Sequence, residues 1–355
     1  MAAKNKGNTP MRGGGRRQIL NTIRRSGAIA RIDIAAATGV SPATVTTITS
    51  DLLDVGLIEE ELPTETDGET PRGRPRVALK IRGASHMIAG MKISERQTTV
   101  CFVDFEGNSI GEYESPIPLH RLGAEKLVDY LVEILQAACK ANNIPIEKLS
   151  GVGLGIAGQV DSPRGIVYWS PSMSERNIAL RDLLESRLML PVFIDNDANL
   201  VAKAEQLFGE GRGVNDFIVV TIEQGVGMGI VIDGRIYHGA RGCGAEFGHT
   251  KVQLDGALCR CGQRGCLEAY VADYALLREA SVYQLTSDSQ DPSVRLNELF
   301  AAAKNGEKTA LSIFRRAGSM FAMGLANLIN IFDPKLVILS GERMQFDFLY
   351  ANEVM

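Results

Sequence analysis

The residues best suited to chemistry lie between Glu246 and Glu268, in the stretch EFGHTKVQLDGALCRCGQRGCLE. It holds three of the six cysteines, Cys259, Cys261 and Cys266, and one of the four histidines, His249. The intervals between them are nine residues, one and four. Three thiolates and an imidazole are the donor set of a structural zinc site, which is tetrahedral, closed and has no position left for water. Gly262 and Gly265 let a short loop curl until its sulfurs face one point. The alternative, three reduced cysteines in a surface loop, leaves the spacing unexplained, so zinc is the expected cofactor. Glu246 and Glu268 bracket the cluster, which suits a device that fixes the geometry of a polar ligand site.

A second chemical stretch is Asp195-Asn196-Asp197, at the end of the apolar run PVFIDND. In α/β sheets, ligands collect at the carboxyl ends of strands. Asn196 or Asp197 also suits the N-cap of a helix starting at Ala198. Capping alone does not account for three polar residues in a row.

Length and charge set the frame for these groups. The chain has 355 residues, enough for two or three domains, and 45% hydrophobic content, enough for real cores. No apolar run of transmembrane length and no secretory leader is visible, so the expected compartment is the cytoplasm, with cysteines reduced and free to bind metal. Cys101 and Cys139 lie in apolar segments and read as core. The formal net charge is −4, yet residues 1–58 carry eight Lys/Arg against only Asp33, Asp51 and Asp54. A basic head on an acidic body points to nucleic acid at the head.

Residues 1–15 are expected to be disordered, and residues 16–81 to form a winged helix-turn-helix. RRQILNTIRRSG places Ile19, Leu20 and Ile23 on one helical face, and Gly27 ends the helix. RIDIAAATG is a second helix stopped at Gly39. SPATVTTITSDLLD is a third, with Ser41 at the N-cap and Pro42 at the first helical position. Its apolar stripe is Val45, Ile48, Leu52 and Leu53. The other face, with Ser41, Ala43, Thr44, Thr46, Thr47 and Ser50, is small and hydroxylated and can approach base edges and phosphates. Two strand-like pieces then flank a polar tip, as in a wing. Its return limb carries Arg72-Gly73-Arg74-Pro75-Arg76, so Arg72 and Arg74 form an arginine hook for a narrow minor groove.

The remainder reads as two α/β lobes, 82–197 and 198–355, with a cleft between them. HMIAGMKIS to YESPIP alternates as antiparallel strands with a turn at Glu106–Asn108. GAEKLVDYLVEILQAACKANN is an amphipathic helix. GVGLGIAGQVD is a buried strand entering a Gly-rich turn. DFIVVTIEQGVGMGIVIDGRIYHG is a hairpin with glycines at its bend, and KLVILSGE is a last buried strand.

The order GVGLGIAGQVD, PVFIDNDAN, GAEFGHTKV and CRCGQRGCLEAY resembles the ROK family of repressors, open reading frames and kinases acting on sugars. The resemblance covers about residues 16–345 and implies an actin-like two-lobed sugar-kinase fold, with the last strand returning to the first lobe. It implies sugar contacts at Asn196, Asp197, Glu246, His249 and Glu268, and zinc ligands at His249, Cys259, Cys261 and Cys266. In family kinases the acid matching Asp197 is the general base. Two phosphate loops depart from the pattern. The DxGGT-type loop reads Lys92-Ile93-Ser94-Glu95-Arg96, and the GTG loop reads Glu223-Gln224-Gly225-Val226-Gly227. Acids where phosphates should sit imply that ATP is not bound. The family adds a further helical layer after the SGE strand, so truncation before that layer is expected. The expected protein is a sugar-responsive transcriptional repressor and not an enzyme. It binds operator DNA and a sugar or sugar phosphate, as a homodimer or homotetramer without a membrane segment. The competing readings are an active ATP-dependent sugar kinase with a fused DNA-binding head, and a scaffold that answers to a protein partner.

Overall fold

The computed structural model describes residues 12–61, 77–94, 97–117, 121–242, 244–341 and 344. In the head, α1 (Arg12–Ser26) begins one turn earlier than expected, so residues 12–15 are helical and not disordered. Ile19 and Ile23 on α1 are fully buried, and that packing holds the helix. β1 (Ile29–Ala30) and α2 (Arg31–Thr38) follow, and α2 stops at Gly39, whose φ of 68° needs a residue without a Cβ. α3 (Pro42–Asp54) starts from Ser41, whose hydroxyl accepts the Thr44 N–H at 3.3 Å. β2 (Ile58–Glu61) and β3 (Ala78–Ile81) pair antiparallel, and β1 adds to β3, giving the order β1-β3-β2. Two-residue β1 has no periodicity to read, and only its partner strand reveals it. The head core gathers Ile19, Ile23, Ile34, Val45, Leu52, Ile58 and Leu79. Arg72 and Arg74 lie outside the described residues, as does Glu95.

The first lobe is built on β4 (Met87–Ile93), β5 (Gln97–Asp104) and β6 (Ser109–Pro116), an antiparallel meander. Its β5–β6 turn closes on Asp104, whose Oδ1 accepts the N–H groups of Glu106, Gly107 and Asn108. α4 (Ala124–Ala141) buries Leu127, Leu131, Ile134, Leu135 and Ala138, the stripe its periodicity predicted, together with Val128. β7 (Leu149–Ile156) runs parallel to β4. The small hairpin β8 (Gln159–Asp161) and β9 (Ile166–Trp169) and then α5 (Leu180–Leu188) lead to β10 (Val192–Asn196). The sheet order is β10-β7-β4-β5-β6.

α6 (Asp197–Phe208) enters the second lobe. β11 (Phe217–Ile222), β12 (Val226–Ile232) and β13 (Arg235–Ile236) form its antiparallel ladder. α7 (Glu268–Val271), α8 (Asp273–Val282), α9 (Pro292–Lys304) and α10 (Lys308–Phe332) cover it, and β14 (Val337–Ser340) completes it. The last strand does not return to the first lobe. β14 pairs parallel with β11, from Ile218↔Val337 to Thr221↔Ser340, at the end of the order β13-β12-β11-β14. Val337 and Leu339 pack on the same core as α10, so the crossover helix sets the strand's destination. β14 is half-buried along its whole length and not fully buried as expected.

α6 lies between the two sheets. A Cβ at Gly229 would meet Ala198 O and Ala202 Cβ at 2.6 Å, and one at Gly155 would meet Leu200 Cδ1 at 3.0 Å. Glycines on both sides allow this close approach. The head docks beside the far end of α6. Arg24 donates to Phe105 O at 2.9 Å and stacks on the Phe105 ring at 4.9 Å, while Arg212 donates to Arg25 O at 2.9 Å. Phe105 also packs against the head core. Among the described residues no helix is long and apolar enough to cross a membrane.

Candidate functional site

The lobes enclose a cavity of about 210 Å³. Asn196, Asp197, Glu246, His249 and Glu268 all line it, so the fold gathers the five predicted contacts into one place. The size suits one small ligand and is below that of drug-sized pockets. Asn196 ends β10 and caps α6, its Oδ1 accepting from Ala198 N at 2.9 Å and its Nδ2 donating to Gly158 O at 2.9 Å. Capping and site lining are therefore both served by this one side chain. Asp197 is the first residue of α6 and turns into the cavity floor. Burial pushes its carboxyl above the usual range, Lys92 opposes that shift, and Glu223 adds to it.

The third member of the polar triplet has a different task. Asp195 accepts from Asn199 Nδ2 at 3.0 Å and lies 2.8 Å from His238 Nε2. His238 follows β13, so this contact joins the two lobes. Nothing in the sequence pattern distinguishes His238. The bond to Asp195 raises His238 above its ordinary 6.5, partial burial opposes this, and Asp161 reinforces it. A raised histidine contributes stability that is fully present below 6.5 and is lost as pH climbs through the folded-state value. The stability lost by His238→Asn is therefore expected to be greatest below pH 6.5 and to shrink above it, measured as thermal midpoints across pH. A loss independent of pH would assign the contact no charge.

Beside the acids, a loop held by its own backbone bonds carries the sulfurs. Cys259 N donates to Gln263 O, Gly262 N to Cys259 O, and Leu267 N to Thr250 O. The donor atoms of His249, Cys259, Cys261 and Cys266 all lie within 4.8 Å of one another. A tetrahedral ion with metal–sulfur bonds of about 2.3 Å requires sulfur–sulfur edges of roughly 3.8 Å. Cys261 Sγ and Cys266 Sγ are 3.7 Å apart, and Cys259 Sγ is 3.7 Å from His249 Nδ1. The four residues thus fit a tetrahedral metal ion. The other imidazole nitrogen, Nε2, lies 4.0 Å from Glu246 Oε2, so one ring faces both the cluster and the cavity. Glu268 also bridges: Oε1 lies 3.5 Å from Cys259 Sγ, and Oε2 accepts from Val226 N at 3.4 Å. Glu246 opens on the cavity. Loss of water raises its carboxyl, His249 opposes, and Glu268 and Asp197 add to the rise.

Two lining residues that the sequence placed in separate loops meet here. Lys92 Nζ, on β4, lies 3.3 Å from Glu223 Oε2, on the β11–β12 turn. Arg260 also lines the cavity and stacks on Tyr274 at 4.3 Å. In the head, Ser41, Ala43, Thr44, Thr46, Thr47 and Ser50 are all exposed, as the helical period requires. The Thr46 and Thr47 hydroxyls donate to Pro42 O and Ala43 O, which leaves their oxygens free to accept.

Comparison with known proteins agrees with this fold. The ROK family profile matches residues 89–355, and a winged helix-turn-helix DNA-binding profile matches residues 16–59. The xylose repressor of Caldicellulosiruptor bescii is 28% identical over 343 residues, 95% of this chain and 85% of that protein. The glucokinase of Streptomyces coelicolor is 32% identical over 263 residues, 71% of this chain and 80% of that protein. Among solved structures, a ROK family transcriptional regulator described as a homologue of the E. coli MLC protein superposes with a TM-score of 0.78 at 27% identity, covering 95% of this chain and 85% of that one.

Proposed function

The chain belongs to the ROK family, and from that premise we propose that it is a sugar-responsive DNA-binding repressor. The observation that carries the reading is the union, in one chain, of a winged helix with an exposed hydroxyl face and an acid-lined cleft. Similarity to a xylose repressor over 95% of the chain, head included, supports it. In this reading Ser41, Ala43, Thr44, Thr46 and Thr47 approach the major groove, and Arg72 and Arg74 the minor groove. The protein acts as a homodimer or homotetramer, because two heads at fixed spacing read two half-sites.

The cleft binds the sugar through Asn196, Asp197, Glu246, His249 and Glu268. Carboxylates accept hydroxyl hydrogens with charge-assisted strength, and half-buried ones lose little water in doing so. Zinc is the metal that His249, Cys259, Cys261 and Cys266 would hold. Bound there, it would brace the loop that presents Glu246, His249 and Glu268. α6 supplies the route to the head. It starts in the cleft at Asp197 and ends at Phe208, beside the Gly107 turn that follows Phe105. A sugar that changes how the lobes sit against α6 therefore changes the seat of α1.

The similarity to a glucokinase at 32% identity favours a second reading, an active sugar kinase. Against it stands the Lys92–Glu223 pair, 3.3 Å apart, at positions that the family resemblance assigns to the kinases' phosphate loops. One preparation of full-length protein separates the two readings. Genomic fragments that it retains are sequenced, and their release is measured against a panel of sugars. The same panel is then tested with ATP beside an Asp197→Asn control. Retention of a discrete operator, release by a sugar and no phosphorylation above the control are expected. Phosphorylation well above the control, without operator retention, overturns the repressor reading.

A further inference from the structure

Lys92 and Glu223 are 131 residues apart in sequence and belong to different lobes, yet they share the wall of the cavity floored by Asp197. Glu223 is held in place by its backbone: its N–H donates to Gly225 O at 2.9 Å, and its carbonyl accepts from Asp273 N at 3.1 Å. The pair itself is accessible, with side chains 46% and 37% exposed, so it is worth little as a stabilising bridge. Its effect lies in the charge it leaves in the cavity. Among the described residues, the lining acids are Asp197, Glu223, Glu246 and Glu268, and the lining lysine and arginine are Lys92 and Arg260. Lys92 is already neutralised by Glu223, and Arg260 lies over the Tyr274 ring.

Such a lining suits an uncharged polyol, whose hydroxyls need acceptors. A phosphate ester meets the opposite conditions. A phosphoryl group on the hydroxyl facing Asp197 would carry close to two negative charges into contact with that carboxylate and with Glu223. The nearby ammonium that would attract it is engaged. Glu268 also crowds the Gly225 backbone, since a Cβ at Gly225 would stand 3.0 Å from Glu268 Oε2.

Resting on the sugar-binding reading above, we propose that the Lys92–Glu223 pair is a specificity determinant that restricts the cleft to uncharged, unphosphorylated sugars. Like-charge juxtaposition in a bound complex costs enough to separate a sugar from its phosphate ester by at least about tenfold in affinity. Removing the Glu223 charge also releases Lys92, so both changes favour the ester.

The test is calorimetry on the full-length protein with xylose, glucose, N-acetylglucosamine, glucose 6-phosphate and N-acetylglucosamine 6-phosphate. Wild type, Glu223→Gln and the double variant Lys92→Gln/Glu223→Gln are compared, with thermal melts as the folding control. The wild type is expected to prefer the free sugar by tenfold or more, on the order set by like-charge repulsion. In Glu223→Gln that ratio shrinks by about tenfold, and the further loss of Lys92 restores part of it. A wild-type preference for the phosphate ester, or a ratio unmoved by Glu223→Gln, overturns the proposal and leaves the sugar cleft intact. Binding of no sugar in either form overturns the proposal together with the cleft reading on which it rests.

Discussion

Replacing Glu268 with alanine is expected to abolish release of operator DNA at the sugar concentration that just saturates the wild type, while leaving sugar-free operator affinity at the wild-type level. Glu268 opens α7 and faces the cavity from the second lobe, and its carboxylate touches both Val226 N and the Cys259 sulfur. Asn196 and Asp197 face the same cavity from the end of β10 and the start of α6. A sugar held between them rewards one arrangement of the lobes, and that differential affinity is what shifts a two-state population. Loss of one charge-assisted acceptor costs about 1.5–3 kcal/mol, or roughly 10- to 150-fold in sugar affinity. Coupling between sites is typically about 1–3 kcal/mol, so sugar should change wild-type operator affinity several-fold to about a hundred-fold. By linkage, operator DNA must weaken sugar binding by the same factor. Glu246→Ala tests the same point from the neighbouring loop. Operator titrations with and without sugar, paired with sugar titrations with and without DNA, give all four constants. If both variants release DNA at the same sugar concentration as the wild type, the cleft is not the sensor.

The second large effect is expected from Cys266→Ser or Cys259→Ser. Both side chains are buried in the second-lobe core, beside Phe247, Leu267 and Tyr270. Lys251 Nζ lies 2.9 Å from Cys266 Sγ, so positive charge already waits beside that sulfur. Structural zinc contributes on the order of 10 kcal/mol in small zinc-dependent domains. This loop has a larger core beneath it and some backbone bonds of its own, so loss of metal should loosen the segment from 250 to 267 and not unfold the chain. The expected results are about one zinc per chain in the wild type by elemental analysis, loss of that zinc in either variant, and loss of sugar release with it. The displaced loop no longer sets Glu246 and His249, and Glu268 loses its neighbour. Metal-free protein with a normal melting profile and a normal sugar response would remove the metal from this account.

Sequence alone determined whatever is encoded over a few residues. Ser41-Pro42 and Gly39 mark helix ends because capping and left-handed backbone are local chemistry, and the period of α3 decides which hydroxyls face outward whatever the body does. The Cys259, Cys261 and Cys266 spacing is legible for the same reason: a chelate loop must bring its donors together within its own length. The alternation of PVFIDND shows where a strand ends and acids begin. It does not show which acid enters the cavity. Asp195 and Asp197 are chemically identical, and the family resemblance picked out Asp197; the physical reason is tertiary, since His238 arrives from the other lobe and engages Asp195 while Asp197 lines the cavity. Lys92 and Glu223 each read as the loss of a phosphate loop. That they complete one another across the cleft depended on how two sheets close around α6. The destination of β14 was decided in the same way, by the apolar face that α10 and β11 offered and not by the strand's own residues. Contacts between segments a hundred or more residues apart carry no pattern along the chain, because their partners are chosen by the packing of whole lobes, and that choice exists only in three dimensions.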